Sequence, residues 1–450
     1  MSPDIHPQAA GDIYPQAARS VHGDGTQTAH PPAHPNNIGQ DVIRQDSSRR
    51  EPRLLAAGPD AGWEQHLDTF GHWDPQAAGP GLLEALAAAG LTGRGGAAFE
   101  TWRKASAAAG SGRKGLFPAR PVVIANGAEG EPLSFKDRTL LARAPHLVID
   151  GLLAMAAALG GAGMYVYAQA ASLPRIQQAL TERPGARKIR VVEAPETFIS
   201  GESSAVVNMI ANGIAVPMDQ RRRLSESGLN GRPTVVVNVE TLAQVALIAR
   251  YGAQWFRQAG TSTDTGTRLV SVSGPAPVRD VVLEVPGGAQ LSAVLQEAGM
   301  DPASLSAVLV GGYHGRWVRP AAHVLSPVGP PDGTARPGAG VIHALDLQIC
   351  GVQATARIVT YLAGGSARQC GPCMFGLPAM ASVLNRIAGG EINSRLIFEL
   401  DRLGRMVSSR GACRHPEGTT GLVSSALEVF AADFRAHLSG YCAGPGGVAA

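Results

Sequence analysis

The sequence predicts an α/β protein whose last third is helical. Three observations carry that prediction. Between Pro121 and Ala243, short β-branched runs such as Pro121-Val122-Val123-Ile124-Ala125 and Val235-Val236-Val237 alternate with stretches of helical apolar spacing, the pattern of a sheet layered with helices. From Arg268 to Val310 the order strand, strand, helix, strand forms a compact β-β-α-β unit. Beyond Ile349 the spacing is mainly helical, and all five cysteines fall there.

Composition sets the outer limits. A chain of 450 residues with 44% hydrophobic and 17% charged residues has material for about two to four domains with sizeable cores. A net charge of +3 is too small to argue for nucleic acid. An odd number of cysteines is poor material for a secreted disulfide framework and better material for metal ligation. No run of about 18 apolar residues free of Gly and charge occurs, so no transmembrane segment is expected. The N-terminus lacks the basic-then-apolar order of a signal peptide.

Taken in order, residues 1–50 are rich in His, Pro, Gln and Ala, and Ile5-His6-Pro7-Gln8-Ala9-Ala10 is echoed by Ile13-Tyr14-Pro15-Gln16-Ala17-Ala18. Such a segment buries too little apolar surface to offset its ordering entropy. It reads as a disordered arm, with His6, His22, His30 and His34 solvated. Residues 51–75 are transitional. Leu82 to Ala89 reads as a helix closed by Gly90, a C-terminal signal. A helix from about Ala97 to Ala109 precedes the strand at 121–125. Asp137 to Leu159 is helical, interrupted at Pro145. Met164 to Ala168 and Lys188 to Val192 are strands flanking a helix at Ser172 to Glu182, and Gly201-Glu202-Ser203-Ser204-Ala205 opens another helix. The basic run Arg221-Arg222-Arg223 follows. The run Val235 to Ala243 reads as a buried strand running into a helix that ends near Trp255-Phe256. Gly260 to Gly266 and Pro320 to Gly340 are linkers. The last helices are expected at Val352 to Leu362, Ala379 to Ile387, Ser394 to Met406 and Thr420 to Leu438.

Two loops carry chemistry. Gly93-Arg94-Gly95-Gly96-Ala97-Ala98-Phe99, followed by Lys104, exposes backbone N–H groups to an anion, ahead of a helix whose positive end points the same way. Arg94 and Lys104 add full charges beside it. A plain glycine-rich connector is the alternative. The second loop is Asn126-Gly127-Ala128-Glu129-Gly130-Glu131-Pro132. Asn238 and Thr241 sit at a strand-to-helix junction, facing a ligand or capping the helix. In the helical end, Cys370-Gly371-Pro372-Cys373 and the later Cys413 suit zinc, an iron–sulfur cluster or a redox dithiol. Ordinary buried cysteines are the alternative.

Together these motifs resemble the flavin-carrying, NADH-oxidising subunit of respiratory complex I and the diaphorase subunits of NAD-linked hydrogenases and formate dehydrogenases, over about Leu82 to Phe434. The family's first motif reads Gly-Arg-Gly-Gly-Ala-Gly-Phe-Pro-Thr-Gly-x-Lys; Gly93 to Ala97, Phe99, Thr101 and Lys104 match it. The second reads Asn-x-Asp-Glu-x-Glu-Pro-x-x-x-Lys-Asp-Arg; Asn126, Glu129, Glu131, Pro132, Lys136, Asp137 and Arg138 match. The third, Gly-Glu-Glu-Thr-Ala-Leu, is met by Gly201, Glu202 and Ala205. The fourth, Gly-x-Pro-Thr-x-x-Asn-Asn-Val-Glu-Thr-Leu-Ala, is met by Gly231, Pro233, Thr234 and the run from Asn238 to Ala243. The resemblance implies an FMN-binding α/β domain over 75–260, a ubiquitin-like β-grasp (SLBB) domain over 267–325, and a helical iron–sulfur domain over 341–440. It implies FMN held by Gly93, Arg94, Gly95, Gly96, Lys104, Asn126, Glu129, Gly201, Glu202, Asn238 and Thr241, with the phosphate near Asn238 and Thr241. It implies a cluster on Cys370, Cys373 and Cys413.

The sequence also departs from the family. Ala128 and Ser203 replace acids of the second and third motifs, and Leu224 and Ala107 stand where aromatics would stack on adenine. Each stack contributes about 1 kcal/mol and each buried polar contact about as much, so FMN is expected more than NADH. The family's cluster motif reads Ser-Cys-Gly-x-Cys-x-Pro-Cys-Arg-x-Gly; over Ser366 to Gly376, Ala367 stands at its first cysteine and Arg368 at its first glycine, and Cys370, Cys373 and Cys413 match the other three cysteines. Three thiolates imply a 3Fe-4S cluster, or a 4Fe-4S cluster with His415, Cys350, Cys442 or water on the fourth iron. The expected function is a flavin and iron–sulfur electron-transfer subunit, cytoplasmic or peripheral to a membrane complex. It would pass electrons between FMN and a ferredoxin-like partner beside other subunits of a redox complex. An NAD(P)H dehydrogenase subunit and a cofactor-free scaffold are the alternatives.

Overall fold

The computed structural model describes residues 53–79, 81–112, 119–183, 185–219, 222–275, 280–320, 323–330 and 333–442. The expected arm at 1–50 with its four histidines, and Arg221 of the basic run, lie outside the described residues.

Helices α1 (Trp63–Phe70), α2 (Gly81–Ala89) and α3 (Thr101–Gly112) precede a parallel sheet of β1 (Val122–Gly127), β2 (Gly163–Gln169), β3 (Ile189–Ala194) and β4 (Thr234–Asn238). Its order is β3-β2-β1-β4. Residues 122–125 and 234–237 are buried, because β1 and β4 are covered on both faces, and so they read as unbroken apolar runs. After β1 come α4 (Lys136–Arg143) and α5 (Pro145–Ala158), with Pro145 opening α5 as its missing N–H allows. Next are α6 (Leu173–Glu182), α7 (Ser203–Asn212) and α8 (Val239–Phe256).

Two differences from the expected elements have local causes. The helix after the glycine loop starts at Thr101, not Ala97, because Gly96 and Ala98 hold φ of 113° and 48°, outside the right-handed helical region. The transitional stretch 51–75 contains α1, anchored by an ionic knot no local pattern displays. His66 Nε2 lies 3.1 Å from Asp150 Oδ2, and Arg183 and Arg250 both pair with the same fully buried carboxylate. Asp150 sits in the middle of α5, and removing one partner of such a buried group costs about 3–5 kcal/mol. One residue further on, α5 meets α8 so closely that a Cβ on Gly151 would stand 1.8 Å from the Leu242 carbonyl oxygen.

The second sheet contains β5 (Thr267–Ser273), β6 (Val281–Pro286), β7 (Leu305–Val310) and β8 (Arg316–Val318), with α9 (Leu291–Glu297) across one face. The short pair β9 (Val324–Leu325) and β10 (Thr334–Ala335) lies beside it, and β11 (Val341–Asp346) completes it in the order β6-β5-β11-β7-β8. β5 and β11 run parallel at the centre and the other neighbours antiparallel. This is the ubiquitin-like β-grasp arrangement. The expected end of this module near 325 is corrected: β11 is its central strand, and the helical region begins at Gly351 rather than 341.

That region holds α10 (Gly351–Gly364), α11 (Leu377–Ala388), α12 (Arg395–Val407), α13 (His415–Val429) and α14 (Ala431–His437). The single helix expected over 420–438 is two, broken at Phe430, whose φ of −103° and ψ of 27° leave the helix. Phe430 turns inward against Trp317 of β8, ring centroids 5.3 Å apart.

Candidate functional site

The chain leaves β1 for β2 and β3 on one side, then returns to β4 on the other. Connections therefore diverge at the carboxyl ends of β1 and β4, and a doubly wound sheet opens its ligand crevice there. Asn126 and Asn238 stand opposite each other at those two ends. Asn238 Oδ1 accepts from the Glu240 N–H at 3.0 Å and so caps α8. Its amide donates to Asp137 Oδ2 at 2.6 Å. Thr241 Oγ1 accepts from the Arg94 N–H at 2.8 Å, which lays the glycine loop over the start of α8. A Cβ on Gly95 would come 3.1 Å from the Asn238 Cβ, so the bare backbone lets the loop sit close against Asn238. Asn126 Nδ2 donates to the Gly201 carbonyl at 2.9 Å. The loops bearing the predicted flavin residues thus meet around one crevice.

The side chains divide into those facing the crevice and those holding it together. Lys104 reaches from α3 to the Val236 carbonyl at 2.6 Å, and burial pushes its ammonium down to about 8 against the pull of Glu202. A half-buried cation resting on a neutral carbonyl is chemically suited to a phosphate. Arg94 differs from the expectation that its charge lies beside the anion. Its guanidinium turns inward to the Thr265 carbonyl at 2.8 Å and to Asp264, and burial followed by Arg268 pushes it down to about 10. Arg94 contributes backbone to the loop. Glu129 accepts from the Asp137 and Arg138 N–H groups at 2.9 and 3.2 Å and from Ser134 Oγ, closing the start of α4. Burial, and then Asp137, raise its carboxyl. Glu202 caps α7, accepting from the Ser204 and Ala205 N–H groups at 2.8 and 3.0 Å.

The structure adds three residues absent from the predicted ligand set. Lys136 Nζ lies 2.6 Å from Asp137 Oδ1 and 2.7 Å from Glu240 Oε2, all three buried. Burial lowers the Lys136 ammonium, but Asp137 and Glu240 outweigh it and hold it above its ordinary value. This triad ties α4 to α8 and, through Asp137, orients Asn238. Its signal in the sequence was charge at three motif positions flanked by apolar runs.

Of the substituted positions, Leu224 packs in the core with Val122, Tyr167 and Val236, Ala107 faces solvent from α3, and Ser203 opens α7. Phe99 is 56% exposed at the lip of the glycine loop.

Cys370 and Cys373 lie one turn apart, the Met374 N–H donating to the Cys370 carbonyl at 2.9 Å, and Cys413 lies within electrostatic reach of both. Cys373 sits in a π-helical turn, Pro372–Gly376. Burial, then Cys370 and Cys413, push its thiol up to about 12. Three cysteine thiols brought together in this way are soft sulfur donors, and the donor set fits three corners of an iron–sulfur cluster. The Cys413 thiol is raised by burial first and by Glu202 next. The turn that leads to Glu202 packs against the cysteine region, the Phe198 ring lying 5.5 Å from that of His415.

The expected fourth ligands are placed elsewhere. His415 Nε2 donates to the Leu362 carbonyl at 2.8 Å, and its Nδ1 meets His314 Nε2 at 3.0 Å, so both ring nitrogens are engaged. Cys350 caps the start of α10 while Cys370 follows its end, and that 14-residue helix is about 21 Å long at 1.5 Å per residue. Cys442 lies with Cys350.

Two family models match the chain, the Nuo51 FMN-binding domain over residues 86–247 and the NADH-ubiquinone oxidoreductase-F iron–sulfur binding region over 353–437. The chain thus carries both an FMN-binding region and an iron–sulfur binding region of the kind found in NADH oxidoreductase flavin subunits. It is 29% identical over 390 residues to an F subunit of the NADH-quinone oxidoreductase of Rhizobium meliloti (strain 1021), covering 79% of this chain and 88% of that protein. It is 25% identical over 384 residues to the HndC component of the NADP-reducing hydrogenase of Solidesulfovibrio fructosivorans, covering 79% and 76%. The fold is similar to a chain of NAD+-reducing NiFe-hydrogenase in the air-oxidised state, with a TM-score of 0.72 and 27% identity over 86% of this chain and 68% of that one. Against the H2-reduced state the TM-score is 0.70, with 28% identity over 84% of this chain and 66% of that one. The chain is thus a flavin and iron–sulfur electron-transfer subunit with FMN and iron–sulfur binding regions.

Proposed function

We propose that this subunit exchanges electrons between FMN in the β1/β4 crevice and a small ferredoxin-like partner at the Cys370–Cys373–Cys413 face, working in the cytoplasm within a larger redox complex. The observation that carries the reading is the packing of the Gly201–Glu202 turn on the cysteine region: the Phe198 ring, four residues before Glu202, lies 5.5 Å from the ring of His415, two residues after Cys413, while Asn126 holds the Gly201 carbonyl at the crevice. Lys104 and the N-terminus of α8 hold the FMN phosphate, the helix supplying N–H groups and its positive end. Asn126 and the glycine loop line the ring. FMN, when bound, supplies the passage between two-electron and one-electron chemistry. Cys370, Cys373 and Cys413 hold a cluster with three protein ligands, of the 3Fe-4S type or 4Fe-4S with a fourth iron open to solvent. Phe375, 70% exposed, and Met374, 48% exposed, follow Cys373 directly and give the partner an apolar landing place beside the cluster. Among the described residues no single helix is long and apolar enough to cross a membrane, in keeping with attachment through other subunits.

NADH is the second reading, favoured by exposed Phe99 and by relatives named for NADH oxidation. Ala128 and Ser203 lack the carboxylates that would meet a nicotinamide nucleotide, so the flavin is expected to be reduced faster by a ferredoxin than by NADH. Lys104→Ala tests the FMN placement. FMN affinity, read by quenching of flavin fluorescence, should fall about 10- to 100-fold, the value of a hydrogen bond to a charged group. Unchanged affinity would move the phosphate elsewhere.

A further inference from the structure

At the end of α10 remote from the cluster loop, three side chains unused by electron transfer converge. Cys350 caps α10, His437 ends α14, and Cys442 follows it. Their ligand atoms all lie within 4.8 Å of one another, and Cys350 Sγ is 3.2 Å from His437 Nε2. The three residues are 8%, 0% and 6% exposed. Gly440, at φ 78°, turns the chain back after α14 and brings Cys442 beside His437.

We propose that Cys350, His437 and Cys442 form a mononuclear zinc site, separate from the iron–sulfur group, that ties the last helix to the start of α10. Two thiolates and one imidazole are a zinc donor set, and in a tetrahedral site such atoms stand about 3.5–3.8 Å apart, a spacing reached here by small side-chain shifts. The imidazole is already oriented for this role. His437 Nδ1 donates to the Ile387 carbonyl at 3.1 Å, in the last turn of α11, which turns the Nε2 lone pair toward the sulfurs. Metal-binding histidines use the same outer bond to fix their tautomer. One Zn2+ enters as two thiol protons leave, and a water completes the tetrahedron.

The site has a structural consequence. Cys350 and Cys442 bracket residues 353–437, the whole matched iron–sulfur region, so the metal closes that region into a loop and pins α10, α11 and α14 at one point. Closing a long loop restricts the unfolded chain most. Ligand substitution should therefore loosen α14 while Cys370, Cys373 and Cys413 keep their iron.

The test uses the full chain, purified anaerobically and analysed for metals by mass spectrometry. About one zinc per chain is expected beside the iron. In Cys442→Ser and His437→Gln the zinc should fall at least about tenfold, with iron unchanged. Alkylation of the wild-type protein needs no variant to fold: Cys350 and Cys442 should react only after a chelator is added. Wild-type protein without zinc, zinc unmoved in both variants, alkylation indifferent to chelator, or a Cys350–Cys442 disulfide seen as a mass lower by two hydrogens would each overturn the proposal.

Discussion

At the β1/β4 crevice two of the residues that depart from the family pattern, Leu224 and Ala107, stand away from the loops, and Ala128 keeps the backbone hydrogen bond to Asn126, whereas at the cysteine loop the departure removes a ligand. Lys104, Asn126, Asn238 and Thr241 remain around the crevice, while Leu224 packs in the core and Ala107 faces solvent. Ala367 leaves three thiols where the pattern has four. Yet both loops keep their backbone. Ala98 and Arg368 each stand where the pattern has glycine, and each holds a left-handed φ, 48° and 52°. Loop shape is set by the packing around it, as the hydrogen bonds of Gly93 to Phe99 and of Arg94 to Thr241 show. Ligand number is set by single side chains. A site can therefore keep its form and change its chemistry.

The largest expected effect separates the two regions. Cys373→Ser should lower iron content at least about tenfold while FMN occupancy stays unchanged; parallel loss of both would show that the sites do not stand independently. A smaller effect follows from Lys104. Without a bound anion its ammonium titrates at about 8, and a neighbouring phosphate raises that value. FMN affinity should be flat up to about pH 8 and then fall up to about tenfold per pH unit, because binding takes up a proton there. For the flavin-free protein the sign reverses: the unfolded chain binds more protons above pH 8, so stability rises with pH toward the ordinary lysine range. Affinity that stays flat across this range would remove Lys104 from the phosphate site. The smallest effect compares the two backbones. Ala98→Gly and Arg368→Gly should each stabilise the protein by up to about 1 kcal/mol, the strain of a left-handed non-glycine residue less the entropy glycine adds. Calorimetry would show a rise of about 1–2 °C for a protein of this size. Gain at only one position would mean that only one loop is held against its preference.

The sequence displayed most of the fold's first half because β1 and β4 are continuous apolar runs and the glycine and asparagine loops lie at their ends. β11 was hidden for a physical reason. It follows a Pro/Gly-rich stretch, carries His343, and pairs with β5, some 70 residues earlier. The break between α13 and α14 was hidden because helical spacing continues across Phe430. The direction of Arg94 was illegible too, since its partner Asp264 lies 170 residues away. The pairing of Cys350 with Cys442 and His437 had the same character. Local chemistry showed which residues were available, and only tertiary packing showed which faced one another.

The most direct test of the account is the absorption and EPR spectrum of the full chain after anaerobic reconstitution with FMN, iron and sulfide. Flavin bands with an iron–sulfur shoulder are predicted; an EPR signal in the oxidised state, abolished when Ala367→Cys supplies the fourth thiolate, marks the three-iron form, and its absence marks the four-iron form. A protein that stays colourless and holds neither flavin nor iron would contradict the electron-transfer assignment and leave a scaffold.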